Sequence, residues 1–333
     1  MLKLLVRSEI DTDAWDACVF ASTQRIVYGY SWYLDIVLPA PSWKWAGLVL
    51  IDETEQYQAV MPIPLRRKQF LRATYNWVVH QPFFCQFLAV FSRDSTLDLT
   101  PFFRAIQQHF RYGSILNVRQ ISGSPATFDL SRTLSTQTLD LSVGYQTIHQ
   151  RYTHDRRLNL RRALRVNWIV LNSTDPEPLL CLFRENHAHS VPGGVTEWAY
   201  DILRNVISEL SQRGLATLRY ATRDAQIEAG ALFVQEGNRI IYLFNAASAV
   251  GRQGNARTLL IDQVIQENAG CDCLQKPLIF DFESPDKPSI RNFYRSFGAV
   301  EEPFWSVRWN RLTAVERLVL HVRDKLKKES GIT

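Results

Sequence analysis

Three groups of residues could carry chemistry. In the run IRNFYRSFGA (290–299), Ile290, Phe293 and Phe297 are apolar at i, i+3 and i+7, so that helix face turns inward. Tyr294 sits beside this stripe, where a phenol is partly packed and can keep its hydroxyl at an opening. Such a hydroxyl could donate a proton to a leaving group, or simply bond backbone. In LIFDFES (278–284), strand alternation puts Asp281 and Glu283 on one face and Phe280 and Phe282 on the other. Two neighbouring carboxylates raise one pKa, which suits a base or a holder for an ammonium. The third group is basic: Arg156, Arg157, Arg161, Arg162 and Arg165 crowd one predicted helix, with Arg157, Arg161 and Arg165 in a single stripe. That stripe could contact phosphates or lie solvated.

Smaller signals surround these. Gly251-Arg252-Gln253-Gly254-Asn255-Ala256 precedes a helical run, and Arg252 and Arg257 flank it. A glycine turn before a helix can present backbone N–H groups to phosphate. Asn245 and Ser248 close the strand before this turn, and Glu228 opens the strand before that. Glu185, His187 and His189 have the spacing E-x-H-x-H, which is not a zinc pattern, and a Val-Pro-Gly-Gly loop follows soon after. No G-x-S-x-G, Walker A turn or paired C-x-x-C occurs.

Elements must hold these residues in place. The chain has 333 residues, which predicts two domains. The first, 1–143, reads as helices over 12–20, 32–38 and 101–110 with strands near 45–51, 57–65, 74–79, 114–118, 127–130 and 136–141. Pro62 and Pro64 mark the second of these strands as an edge strand or bulged. The second domain, 144–310, predicts helix 154–166, strand 167–171, a helix reaching His187, and helix 197–212. Strands 216–221, 228–235 and 239–245 follow, the last two joined by a tight hairpin at Glu236-Gly237-Asn238. Helix 256–268, strand 278–282, helix 289–297 and strand 304–309 complete it. A basic amphipathic helix lies in 311–333.

Composition is that of a soluble globular chain: 46% hydrophobic, 21% charged, with nine Trp, twelve Tyr and eighteen Phe. The net charge of +5 permits an anionic ligand without requiring one. Five scattered cysteines, Cys18, Cys85, Cys181, Cys271 and Cys273, predict reduced thiols and a cytoplasmic protein. No signal peptide and no membrane span are expected, and no metal.

The order of the second domain resembles the GNAT superfamily of N-acetyltransferases. NRIIYLFNAAS (238–248) is similar to that family's central strand, and GRQGNARTLLIDQVI (251–265) to its phosphate-binding turn and following helix. Gly251 stands where the family pattern has Gln or Arg. PSIRNFYRSFGA (288–299) is similar to its late helix. The Arg-rich helix and the Asp-Phe-Glu end resemble the FemAB-like branch, built from two such domains in tandem. This implies an α/β (mixed α+β) fold of two GNAT-like domains, each a twisted mixed sheet flanked by helices, the first degenerate.

The resemblance implies an N-acyltransferase working by direct attack of an amine. Tyr294 would be the acid, and Asp281 or Glu283 the base. Gly251, Arg252, Gly254, Asn255, Ala256 and Arg257 would hold acyl-CoA (acetyl-CoA), while Asn245, Ser248, Arg157 and Arg161 would contact substrate. The acceptor would be a small-molecule or peptide amine. A FemAB-like transfer from aminoacyl-tRNA is the alternative within the same resemblance. A non-catalytic ligand-binding tandem domain is the alternative outside it.

Overall fold

The computed structural model describes residues 1–70, 74–121, 128–191, 193–270, 277–283, 287–313 and 317. Cys271, Cys273, Ser284 and most of the expected C-terminal helix lie outside them. The chain runs through β1 (Leu2–Val6), α1 (Thr12–Ala21), α2 (Ser31–Val37), β2 (Trp43–Ile51), β3 (Tyr57–Phe70), β4 (Thr74–His80), β5 (Phe91–Ser92), α3 (Thr100–His109), β6 (Tyr112–Val118) and β7 (Leu130–Asp140). It continues through α4 (Tyr145–Arg151), α5 (His154–Arg165), β8 (Ile169–Ser173), α6 (Glu177–Asn186), α7 (Glu197–Gln212), β9 (Ala216–Arg223), β10 (Gln226–Glu236) and β11 (Arg239–Ala247). Last come α8 (Ala249–Gln253), α9 (Ala256–Asn268), β12 (Ile279–Asp281), α10 (Pro288–Arg295) and β13 (Val300–Asn310).

These elements form two compact units, Met1–Leu134 with Phe304–Thr333, and Ser135–Pro303. The boundary expected after residue 143 falls inside the second unit, and residues 304–310 belong with the first. The cause is strand exchange. The C-terminal half of β13 pairs antiparallel with β6, while the C-terminal end of β7 pairs antiparallel with β12.

In the first unit β1, β2, β3 and β4 are antiparallel neighbours, and β4 meets β6 in parallel. β3 pairs with β2 over residues 57–66, with a bulge near Gln58, and its other side is taken by β5 at 59–60 and by β4 at 65–70. The prolines still find a lenient place. Residues 61–64 lie between the pairing of 59–60 with β5 and of 65–70 with β4, so Pro62 and Pro64 have a strand on one side only.

In the second unit β8, β9, β10 and β11 are antiparallel and β11 meets β12 in parallel. Ala229, Ala231, Phe233, Ile240 and Tyr242 form a core with Leu160 of α5, Leu259, Leu260 and Ile265 of α9, and Tyr294 of α10. Small residues on β10 let α9 lie close to the sheet. α6 covers β10 and β11, with Phe183 against Phe244 at 4.8 Å between ring centroids. Two helices differ from the expected pattern. α4 falls where the sequence predicts no element, and α8 where it predicts a glycine turn.

Candidate active site

The site follows from one mismatch in strand length. β11 pairs with β12 only through Arg239–Ile241, because β12 ends at Asp281 while β11 runs on to Ala247. The last residues of β11 therefore border an opening, and side chains from α9, α10 and α6 converge on it. Asn245 accepts a hydrogen bond from Arg257 Nη1 at 2.9 Å. The Asn245 side chain also lies beside the Tyr294 hydroxyl and pulls its pKa slightly down.

Tyr294 is 5% exposed, stacked on Phe282 with centroids 4.7 Å apart, and set edge-on to Tyr242 at 6.1 Å. Burial pushes its pKa up to about 12, against the pull of the Arg257 charge and with a further push from Glu283. It is neutral at physiological pH and able to donate. Glu283 is half-buried just past β12, in the left-handed region at φ 46. Its N–H donates to Asp281 Oδ1 at 2.9 Å. A non-glycine residue there costs backbone energy, so the surrounding structure must hold it.

Asp281 does not share this opening. It is 1% exposed and paired with Arg239 Nη1 at 2.5 Å, and Thr136 Oγ1 donates to it at 2.6 Å. Arg239 also meets Glu302 at 2.9 Å. A buried carboxylate with a guanidinium and a hydroxyl already bound is a fastening between strands, not a base. Of the two acids expected to act, Glu283 alone is at the site. Alternation does not extend to it, because the strand stops at Asp281.

The glycine turn also departs from expectation. Residues 249–253 form α8, capped by Ser248, whose Oγ accepts from the Gly251 N–H at 3.0 Å. Ser248 Oγ in turn donates to Glu228. The Arg252 amide goes to Ser248 O, the Gly254 amide to Val250 O and the Asn255 amide to Arg252 O. The glycines serve packing. A Cβ on Gly251 would lie 2.1 Å from Glu228 O, and one on Gly254 would lie 2.3 Å from the Trp168 ring. Trp168 Nε1 donates to Gly254 O at 2.9 Å, and Asn255 takes the left-handed turn into α9 at φ 56, leaving Ala256 buried at its start. With these amides engaged and Trp168 seated on the turn, the residues do not fit an open pyrophosphate cradle. Arg252 Nη1 donates to Ala247 O at 2.7 Å, so it braces the end of β11.

His187 joins the site unannounced. At the end of α6 its Nε2 accepts the Ala247 N–H at 3.2 Å. Burial, then the charges of Arg257 and Arg252, hold its pKa below the usual value. Its neighbourhood in sequence invited only a metal comparison. Among the described residues no His/Cys/Asp/Glu group is arranged to hold a metal ion, and no helix is long and apolar enough to cross a membrane.

Arg157 and Arg161 are not brought to Tyr294. They line a separate hollow against α4 and α9. Arg156, on the same helix, is buried: it donates to Ser296 Oγ at 2.8 Å and Thr258 Oγ1 at 2.5 Å, and lies over Phe293.

A pair of GNAT-like units, each a mixed sheet with one parallel junction and flanking helices, is the class this architecture defines. Solved structures agree. FemX superimposes with a TM-score of 0.61 at 12% identity, over 91% of this chain and 96% of that one. A tandem GNAT protein from the clavulanic acid biosynthesis pathway gives 0.50 at 13% identity, over 92% and 98%. A conserved protein of unknown function from Bacteroides thetaiotaomicron gives 0.52 at 11%, over 92% and 98%. At these identities the likeness defines the fold alone. No family model matches the chain, and no curated protein does.

Proposed function

We propose that the chain transfers an acyl group to an amine by direct attack at the open end of β11. The carrying observation is the grouping at the end of β11: Tyr294, buried and stacked on Phe282, beside Asn245, whose amide oxygen is held by Arg257. The acceptor nitrogen attacks the acyl carbon and forms the C–N bond. The bond from that carbon to the leaving atom breaks, and Tyr294 protonates that atom. Glu283 takes the surplus proton of the amine, and exchange with solvent restores both groups.

Two observations favour an oxygen ester over a thioester as donor. In the turn expected to hold coenzyme A the amides of Gly251, Arg252, Gly254 and Asn255 are engaged. A phenol near pKa 12 also matches an alkoxide leaving group better than a thiolate, whose conjugate acid has a pKa of about 8.5. The aminoacyl ester of a charged tRNA fits this description, and FemX is among the chain's structural relatives. Acetyl-CoA is the competing donor.

The deciding experiment offers both donors to the full chain with a panel of amines and follows amide formation. Tyr294→Phe should lower turnover by about 10²- to 10⁴-fold, the usual range for a positioned proton donor, with an unchanged melting profile. Full activity in Tyr294→Phe would remove the proton-donor role. Gly254 is unsuitable for probing the donor site, because any side chain there strikes Trp168. Arg252→Gln serves instead.

A further inference from the structure

The hollow that takes in Arg157 and Arg161 has about 550 Å³ of space and lies within the second unit, between α4, α5 and the middle of α9. Its lining shares Leu160 and Leu259 with the core around Tyr294, but includes none of Asn245, Glu283 and Tyr294 and nothing from residues 249–257. Its size is that of a small-molecule pocket, well above what a lone phosphate fills.

Its chemistry is asymmetric. Arg157 and Arg161 stand at the α5 side. Among the described residues neither has a carboxylate partner; Arg157 Nη1 is steadied by Tyr152 O at 2.7 Å and Gln150 O at 3.1 Å. Across from them α9 presents Gln263 and Gln266, where acids would have paired the arginines. The one lining carboxylate, Asp262, is 5% exposed and already accepts from Tyr145 at 2.9 Å and Tyr152 at 3.0 Å. The arginine side is thus left with unbalanced positive charge. α4 adds two aromatic rings to the lining, Tyr145 and His149, with centroids 5.7 Å apart. Leu160 and Leu259 supply an apolar lining.

We propose that this hollow binds a nucleoside phosphate. The guanidinium groups of Arg157 and Arg161 take the phosphate. A base lies against Tyr145 and His149, since every base has a face that stacks on an aromatic ring. The carboxamides of Gln263 and Gln266 offer donors and acceptors to its edge. The inference does not depend on acyl transfer at Tyr294.

Calorimetric titration of the full chain with AMP, GMP, UMP, ribose 5-phosphate and inorganic phosphate tests it. At least one nucleotide should bind at least tenfold more tightly than ribose 5-phosphate. Arg161→Gln should weaken that nucleotide about tenfold, as expected for losing one charge-assisted hydrogen bond. Arg165→Gln removes the same charge from the same helix outside the hollow and should change affinity by less than twofold. Competition by a short single-stranded RNA, with Arg161 again required, would make the natural source a nucleotide within RNA. No competition would make it a free nucleotide. Absence of nucleotide binding up to millimolar concentration overturns the proposal. So does equal binding of inorganic phosphate, or equal loss in both arginine variants.

Discussion

The two units are built to one plan and differ at one junction. Each contains a strand (β1 or β8), two helices, a three-strand meander, a crossover with a helix and a return in parallel beside the last meander strand; in the second unit the end of β7, α4 and α5 come first. In the first unit that return pairs the end of β4, through Val79 and His80, with β6. The backbone beyond stays occupied: Gln81 N–H goes to Ile115 O and Leu88 N–H to Asn117 O, each at 2.9 Å. In the second unit the return pairs the start of β11, so the rest of β11 outruns β12. The same topology is closed in one copy and open in the other. What creates a site is where along the strand the parallel partner joins, not the fold itself.

The fastenings at the two junctions differ as well, and this gives the largest expected stability effect. The second unit uses the buried Arg239–Asp281 pair with Glu302. The first uses a neutral bond between His80 Nδ1 and Ser114 Oγ at 2.7 Å. Asp281→Ala would take one of two carboxylates from a buried guanidinium and should cost about 3 kcal/mol, the low end for breaking a buried pair, because Glu302 remains. Ser114→Ala should cost about 1 kcal/mol, the worth of an ordinary hydrogen bond. Urea unfolding of both variants measures this. Equal losses would mean that the two junctions carry the same load, and the contrast would fail.

Much of the plan was legible in residue patterns. The amphipathic run located α10 and the residue pattern located β9 to β11 closely, but Tyr294, expected beside the apolar stripe, is the buried residue of α10, while Ile290 and Phe293 are only partly buried. The parts that were not legible depend on distant partners. Asp281 and Glu283 look equivalent on a strand, yet Asp281 is claimed by Arg239, 42 residues away, and by Thr136, 145 residues away. Gly251 and Gly254 read as an open turn because sequence does not show that Glu228 O and Trp168 press against them. α4 went unread because its seven residues expose most of one side and bury only Ile148. His187 carried no signal as a backbone acceptor, since its partner is the amide of Ala247, 60 residues on.

α8 lies in the second unit's crossover, where the first unit has β5 instead, and its glycine gives a smaller test. Gly251→Ala would put a methyl group within 2.1 Å of the Glu228 carbonyl, which is backbone and does not swing aside. Overpacking of this kind costs about 1–3 kcal/mol. Thermal unfolding should show the loss, and chemical shifts of residues on β10 and the end of β11 should move. An unchanged melting temperature would mean that α8 is free to lift, and that the turn can open to receive phosphate after all.

The smallest effect concerns His187, which has no equivalent at the closed junction. Its folded pKa lies below the unfolded value near 6.5, chiefly through burial and secondarily through the Arg257 and Arg252 charges. As pH falls below 6.5 the unfolded chain therefore takes up this proton first. The stability His187 contributes is present above that pH and is lost as pH drops through its folded pKa, with a slope of at most one proton. Protonation also ends its role as acceptor for the Ala247 N–H. His187→Gln keeps an acceptor but does not titrate, so its stability should vary less between pH 7 and 5 than that of the wild type. Identical pH profiles for the two proteins would place the His187 proton outside the folding equilibrium.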